Sequence, residues 1–267
     1  MEPFKNPFKT ALAEFRLQRG LWCTLSDPLA VEMMAGLGFD WMMFDTEHSA
    51  VDAVSVLPLL QAAARWPVHP VVRPTHLNAP EIKKLLDLGA QTLLIPMVED
   101  AQMAAHAVAC ATYPPRGIRG VSGVTRATGF GAVPGYHARA GEEICLLVQV
   151  ESKSALSQIE AIAAVPGIDG IFVGPADLAA SLGHPGNPGH PEVVAAVIDA
   201  IRRIRAAGLP PGLLTTSPEL HAAACDAGVV FLAGDLDITA LRKGLLSGLG
   251  LGGGAARSAL PSGDPAR

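Results

Sequence analysis

Two carboxylates close two consecutive apolar runs, and no other pairing in the chain carries as much chemical information. Glu151 ends Leu146-Leu147-Val148-Gln149-Val150-Glu151, and Asp177 ends Ile171-Phe172-Val173-Gly174-Pro175-Ala176-Asp177. A carboxylate without a partner is strongly disfavoured in an apolar interior, so packing alone does not explain these acids. In parallel α/β proteins the C-terminal ends of strands are where sites are built. Two acids from neighbouring strands make an oxygen-rich seat for a hard divalent cation. The side-chain period of two places Gln149 on the same strand face as Glu151, just beneath it. Asp177 follows a Gly-Pro-Ala turn into a helical stretch, whose free backbone N–H groups suit a bound carboxylate. Taken singly, each acid reads equally well as a salt-bridge partner or a helix cap.

A second cluster follows the apolar run Trp41-Met42-Met43-Phe44. There Asp45, Glu47 and His48 put three ionisable groups within four positions, at the same rim as the two acids. His48 is the natural general acid/base, because its intrinsic pKa lies nearest neutrality. Asp45 is expected either to orient its neighbours or to cap the helix that follows. Arg73 ends Val71-Val72-Arg73 and can donate as a fork to a carboxylate or a developing oxyanion. An ion pair with a rim acid is the alternative for Arg73, and it is compatible with catalysis.

The elements that must hold these residues are legible from patterning. Apolar runs at 21–25, 41–45, 69–73, 92–96, 144–150, 170–174, 212–215 and 229–234 read as strands. Helical patterns alternate with them at 28–37, 52–65, 80–88, 101–111, 154–165, 191–207 and 218–227, and a last helix spans 238–246. Proline just inside several helix starts and glycine after several ends mark the boundaries. Eight such units in a chain of 267 residues predict a (β/α)8 TIM barrel rather than an open doubly wound sheet. The barrel is expected to occupy 1–246 as a single domain. The Gly/Ala/Ser/Pro-rich tail 247–267 is expected to be disordered. The excursion at 113–143 is too long for a plain connector and reads as functional or interfacial.

Composition narrows the class. About half the residues are apolar (49%) and the net charge is −5, with Lys and Arg scattered rather than clustered. That pattern argues against nucleic acid and against an anionic membrane surface as partners. No apolar run reaches the length of a membrane span. The first residues lack the apolar core of a secretory signal, so a soluble cytoplasmic protein is expected. The four cysteines are far apart, with no C-x-x-C pair, and read as free thiols.

The segments Asp45-Thr46-Glu47-His48, Val71-Val72-Arg73-Pro74, Lys84-Leu85-Leu86-Asp87-Leu88-Gly89, Val148-Gln149-Val150-Glu151 and Gly174-Pro175-Ala176-Asp177-Leu178 resemble the HpcH/HpaI aldolase family. So do Gly38-Phe39-Asp40-Trp41, Gln91-Thr92-Leu93-Leu94-Ile95-Pro96 and Gly117-Ile118-Arg119-Gly120. The resemblance runs in order from about residue 12 to residue 246. It implies a metal-dependent class II pyruvate aldolase on a barrel of the phosphoenolpyruvate/pyruvate type. In that likeness Glu151 and Asp177 hold Mg²⁺, Mn²⁺ or Co²⁺, with no organic cofactor. Gln149, Ala176 and Asp177 contact the oxo acid, Arg73 steadies the enolate, His48 moves protons and Asp87 tunes the histidine. Leu214, within the seventh strand, joins the substrate contacts. The resemblance also implies a homo-hexamer, a trimer of dimers, with the last helix swapped between subunits. Read from its own position, Asp87 sits near a helix end and faces the bottom of the barrel.

One stretch departs from the family pattern. The eighth strand there commonly ends Val-Gly-x-Asp, whereas this chain has Ala233-Gly234-Asp235-Leu236-Asp237, and Asp235 is expected to influence aldehyde preference. Three rival readings accompany the aldolase. A Schiff-base aldolase would need a desolvated lysine, and only Lys153 lies near the mouth. An acyl-CoA lyase resembling the citrate lyase β-subunit would use the same acids. A non-catalytic oxo-acid-binding barrel is the third.

Overall fold

Eight short runs of apolar residues are too buried to tolerate unpaired backbone, and they pair with one another. The computed structural model describes residues 5–250. Its strands are β1 (Gln18–Cys23), β2 (Trp41–Asp45), β3 (His69–Arg73), β4 (Thr92–Ile95), β5 (Cys145–Val150), β6 (Gly170–Val173), β7 (Pro211–Leu214) and β8 (Phe231–Leu236). All pair in parallel and in chain order, and β8 returns to β1 to close the barrel. Closure leaves no strand edge exposed.

The strands are clad by α2 (Pro28–Ala35), α3 (Val56–Ala63), α4 (Ala79–Asp87), α5 (Ala101–Ala111), the short pair α7 (Lys153–Leu156) and α8 (Ile159–Ala163), α10 (Pro191–Ala206) and α11 (Pro218–Ala227). Strand residues alternate between two cores. Met42 and Phe44 pack outward with Leu59, Leu93 and Val148 under the helices. Trp41, Met43, Val71, Leu147, Phe172 and Phe231 fill the interior. A helix that patterning did not predict, α1 (Pro7–Ala13), adds Phe8 and Leu12 to this interior cluster.

The departures from the predicted boundaries have local causes. β1 stops at Cys23 because the backbone N–H groups of Thr24 and Leu25 turn to the Asp237 carboxylate, at 2.9–3.0 Å, instead of continuing the ladder. α3 starts at Val56, later than expected, because Asp52 Oδ1 accepts the N–H groups of Val54 and Ser55 in a turn. The single helix expected at 154–165 is two short ones, with Ser157 Oγ bonding back to Ser154 O at 2.7 Å. Such local hydrogen bonds compete with helix continuation. The 113–143 excursion contains the unpredicted α6 (Tyr136–Glu143), and α9 (Pro175–Ser181) follows β6 directly. The last helix, α12 (Asp237–Gly248), continues two residues beyond the predicted end. The expectation of a disordered tail concerns chiefly 251–267, which lie outside the described residues.

Candidate active site

The interior rows of the barrel end in polar side chains at one rim. Trp41 and Met43 lead to Asp45 on β2, Val71 leads to Arg73 on β3, and Cys145 and Leu147 lead to Gln149 on β5. Asp45, Arg73, Gln149 and Glu151 are all buried. The period of two along a strand therefore delivers these four residues to one place.

Arg73 organises the cluster. Its Nε and Nη2 donate to the two oxygens of Asp45 at 2.9 and 2.7 Å, a bidentate pair. Its Nη1 lies 2.9 Å from Glu47 Oε2 and 3.5 Å from Gln149 Oε1. The guanidinium carbon sits 4.7 Å from the centroid of the Trp22 ring, and Trp22 Nε1 donates to Asp45 Oδ2 at 3.2 Å. Asp45 Oδ1 also accepts the backbone N–H groups of Glu47 and His48 at 3.0 and 3.3 Å. Burial pushes the Asp45 carboxyl up, but the Arg73 hydrogen bonds and charge outweigh it and hold the group below the usual carboxylate range. Asp45 thus both orients Arg73 and caps the turn that carries Glu47 and His48.

Glu151 is held as firmly. Its Oε1 accepts the Met97 N–H at 2.8 Å, and its Oε2 accepts the Gln149 amide at 2.5 Å. Met97 is a non-glycine residue in the left-handed region, at φ 52°, a conformation that costs on the order of 1–3 kcal/mol. It aims the N–H at the carboxylate. Gly174 leaves the necessary space, because a Cβ there would lie 2.4 Å from Glu151 Oε2 and 2.7 Å from Gln149 Nε2.

The electrostatics identify a third acid. Burial first of all, with Asp177 and Glu47 adding to it, pushes Glu151 up to about 7 against the opposing Met97 hydrogen bond and Arg73 charge. Burial likewise raises Glu47, with Asp177 again adding to the rise. Glu47 and Glu151 therefore both feel the charge of Asp177, and Arg73 opposes the rise at each. The sequence placed Glu47 in the ionisable cluster but gave it no role of its own. Its signals were its place between Asp45 and His48, two residues from a strand end, and its membership of the family-like segment. A set of carboxylate oxygens close enough to repel one another fits a hard divalent cation, which would relieve the repulsion.

The remaining predicted residues are placed as follows. Ala176 and Asp177 are exposed in the first turn of α9. His48 stands at the solvent edge, its side chain 65% exposed and its Nε2 3.9 Å from Glu47 Oε1. Leu214, half-buried at the end of β7, packs on the interior cluster below the rim. Asp235 is paired with Lys243 at 2.8 Å. Asp87 is not brought to His48 within one chain. It ends α4, which returns from the C-terminal end of β3 to the start of β4, and it accepts from the fully buried Arg119 at 2.8 Å. Lys153 is exposed at the start of α7, so it lacks the desolvation that a Schiff-base lysine needs. A cavity of about 680 Å³ lies at the opposite end of the barrel, near Trp66, His69 and Glu143. It contains none of the rim residues, so the chemistry is assigned to the rim.

Residues 18–240 match the HpcH/HpaI aldolase/citrate lyase family. The chain is 53% identical over 243 residues to a hydroxypyruvate/pyruvate aldolase of Sagittula stellata, covering 91% of this chain and 96% of that protein. It is 48% identical over 241 residues to a 4-hydroxy-2-oxo-heptane-1,7-dioate aldolase of Salmonella heidelberg, covering 90% and 92%. Its fold superposes with a TM-score of 0.89 on a solved HpcH/HpaI aldolase/citrate lyase family protein from Burkholderia cenocepacia. That pair is 36% identical, with 92% of this chain and 98% of the other covered.

Proposed function

This chain belongs to the HpcH/HpaI aldolase/citrate lyase family, and on that premise we propose that it catalyses reversible aldol cleavage and addition between pyruvate or hydroxypyruvate and an aldehyde, acting on 4-hydroxy-2-oxo acids. It is a carbon–carbon lyase of the aldehyde-lyase kind. The observation that carries the reading is that Glu151 and Glu47, both facing Arg73, also feel the charge of Asp177 at the C-terminal rim. A family that depends on a divalent metal finds its matching donor set there.

Glu151 and Asp177 are the residues that would hold the cation. When bound, it supplies Lewis-acid polarisation of the oxo acid's carbonyl. Gln149 and the backbone N–H groups of Ala176 and Asp177 orient the oxo acid. Arg73 is locked by Asp45 and stacked on Trp22, so it donates to the oxygen that gains charge as the carbon–carbon bond breaks, without reorganising first. His48, at the open edge, removes the 4-hydroxyl proton in cleavage, through water, and returns a proton in addition. Leu214 offers the incoming aldehyde an apolar wall.

The assembly we propose is a homo-hexamer, a trimer of dimers with the last helix exchanged. Two exposed apolar surfaces support it. Ile238, Leu241 and Leu245 project from α12, of which only Asp237 is buried, and Val121, Val124 and Phe130 project from the 113–135 segment. In such an assembly Asp87 acts on the histidine of a partner subunit. No helix among the described residues is long and apolar enough to cross a membrane, and we assign the protein to the cytoplasm. The cation is Mg²⁺, Mn²⁺ or Co²⁺, and the chemistry requires no organic cofactor. A panel of aldehydes assayed with pyruvate and with hydroxypyruvate, under each metal, tests the reading. Carbon–carbon bond formation that needs a divalent metal supports it. An absence of product with every donor would overturn it.

A further inference from the structure

The segment that joins α9 to α10 gathers a donor set unlike that of the rim. His184, His190 and Glu192 each offer one ligand atom, and those atoms lie within 4.8 Å of one another. The two imidazoles are stacked, with centroids 3.5 Å apart and planes 17° from parallel. His184 Nε2 lies 2.8 Å from Glu192 Oε2. His190 Nδ1 accepts the Glu192 N–H at 3.3 Å as the N-cap of α10, which leaves its Nε2 uncommitted to the helix.

We infer that His184, His190 and Glu192 form a second cation site, selective for borderline ions such as Zn²⁺, Ni²⁺ or Cu²⁺ over Mg²⁺. Two neutral imidazole nitrogens and one carboxylate are the ligands such ions favour, whereas the all-oxygen rim suits hard ions. The inference does not depend on the aldolase reading.

Two features of the molecule act against the site, and both are met. The N-terminal end of α10 carries partial positive charge, which disfavours a cation. Glu192 in its first turn supplies a full negative charge, and the hydrogen bond from His184 holds its carboxyl below the usual range. Lys153 also faces Glu192 electrostatically and competes for it. The ligand atoms, now within 4.8 Å of one another, must adjust to the roughly 3.4 Å edge of a tetrahedral site. The rings must also open from their stack so that each lone pair meets the ion. His184 sits on a short exposed segment outside any helix, so these movements leave the barrel undisturbed. A bound ion would clamp that segment to α10, immediately after the helix that presents Asp177.

The test is Cu²⁺ electron paramagnetic resonance on untagged, full-length protein in excess Mg²⁺, which occupies the rim. Nitrogen splitting of the copper signal is expected in the wild type, because the rim acids contribute no nitrogen. The splitting should vanish in His184→Phe, which keeps the ring stack. It should vanish also in His190→Asn, which keeps a capping oxygen, and competition by Zn²⁺ should weaken at least about tenfold in both. It should persist in Glu151→Gln. Splitting retained in both histidine variants, absent from the wild type, or lost in Glu151→Gln would overturn the site.

Discussion

The Gln149 amide donates to Glu151 Oε2 at 2.5 Å, while its carbonyl oxygen faces Arg73 Nη1 at 3.5 Å. One glutamine therefore ties the carboxylate proposed to hold the cation to the guanidinium proposed to stabilise the oxyanion. Because Gln149 and Glu151 are two residues apart on the same strand face, their spacing is set by the backbone.

Gly174→Ala should disturb this link without touching any charged group. The added methyl meets Glu151 and Gln149 at 2.4 and 2.7 Å, and overpacking of this kind costs about 1–3 kcal/mol. Metal affinity, measured by titration calorimetry, should fall more than thermal stability does. Unchanged metal affinity would show that the carboxylate has room to move.

Arg73→Lys should not rescue activity. A lysine keeps the charge but cannot span both oxygens of Asp45 and still present a third nitrogen to Glu47. Turnover should fall by roughly 10²–10³, the loss typical of one oxyanion donor. Wild-type turnover in this variant would reduce Arg73 to a structural ion-pair partner.

His69 makes a prediction that involves neither metal nor substrate. It is buried, stacked on Phe8 at 5.3 Å, and its Nε2 lies 2.7 Å from Thr92 Oγ1. Burial pulls its pKa from 6.5 down to about 3. Below about pH 6.5 the unfolded chain takes up a proton that the folded chain refuses until about pH 3. Stability therefore falls as pH falls through that window. Between pH 6 and 5 the wild type should lose about 1 kcal/mol more than His69→Gln in denaturant titrations, approaching one proton's slope. Parallel pH profiles for the two proteins would contradict this.

Much of the rim was legible from the sequence, and the reason is geometric. Inside a closed barrel the period of two determines which residues meet, so Gln149, Glu151, Arg73 and Asp45 follow from strand assignment alone. Turns carry no such period, which is why Glu47 is named in the ionisable cluster without a role, although it pairs with Arg73 and feels Asp177. The requirement for glycine at 174 and the left-handed Met97 are matters of close approach that no pattern displays. Asp87 shows another limit. A resemblance assigned it to the histidine; in the single chain it pairs with Arg119 at the C-terminal end of α4, and the assignment rests on the proposed assembly.

The assembly proposal is open to a direct check. Leu241 and Leu245 are 50% and 62% exposed in the single chain, and apolar area buried between subunits is worth about 25 cal/mol per Å². Leu241→Asp combined with Leu245→Asp should lower the mass seen by light scattering to that of a smaller species. An unchanged mass would place the interface elsewhere.

Deuterium exchange at the methyl group of pyruvate tests the central claim most directly, because it reads proton removal without needing the aldehyde. In D₂O, followed by NMR, the wild-type enzyme should exchange these protons only with a divalent cation present, stop on chelation and resume when the metal is restored. Glu151→Gln should bind the cation weakly and exchange no faster than buffer. Wild-type exchange and metal affinity in Glu151→Gln would contradict the assignment of Glu151 and Asp177 as the metal seat.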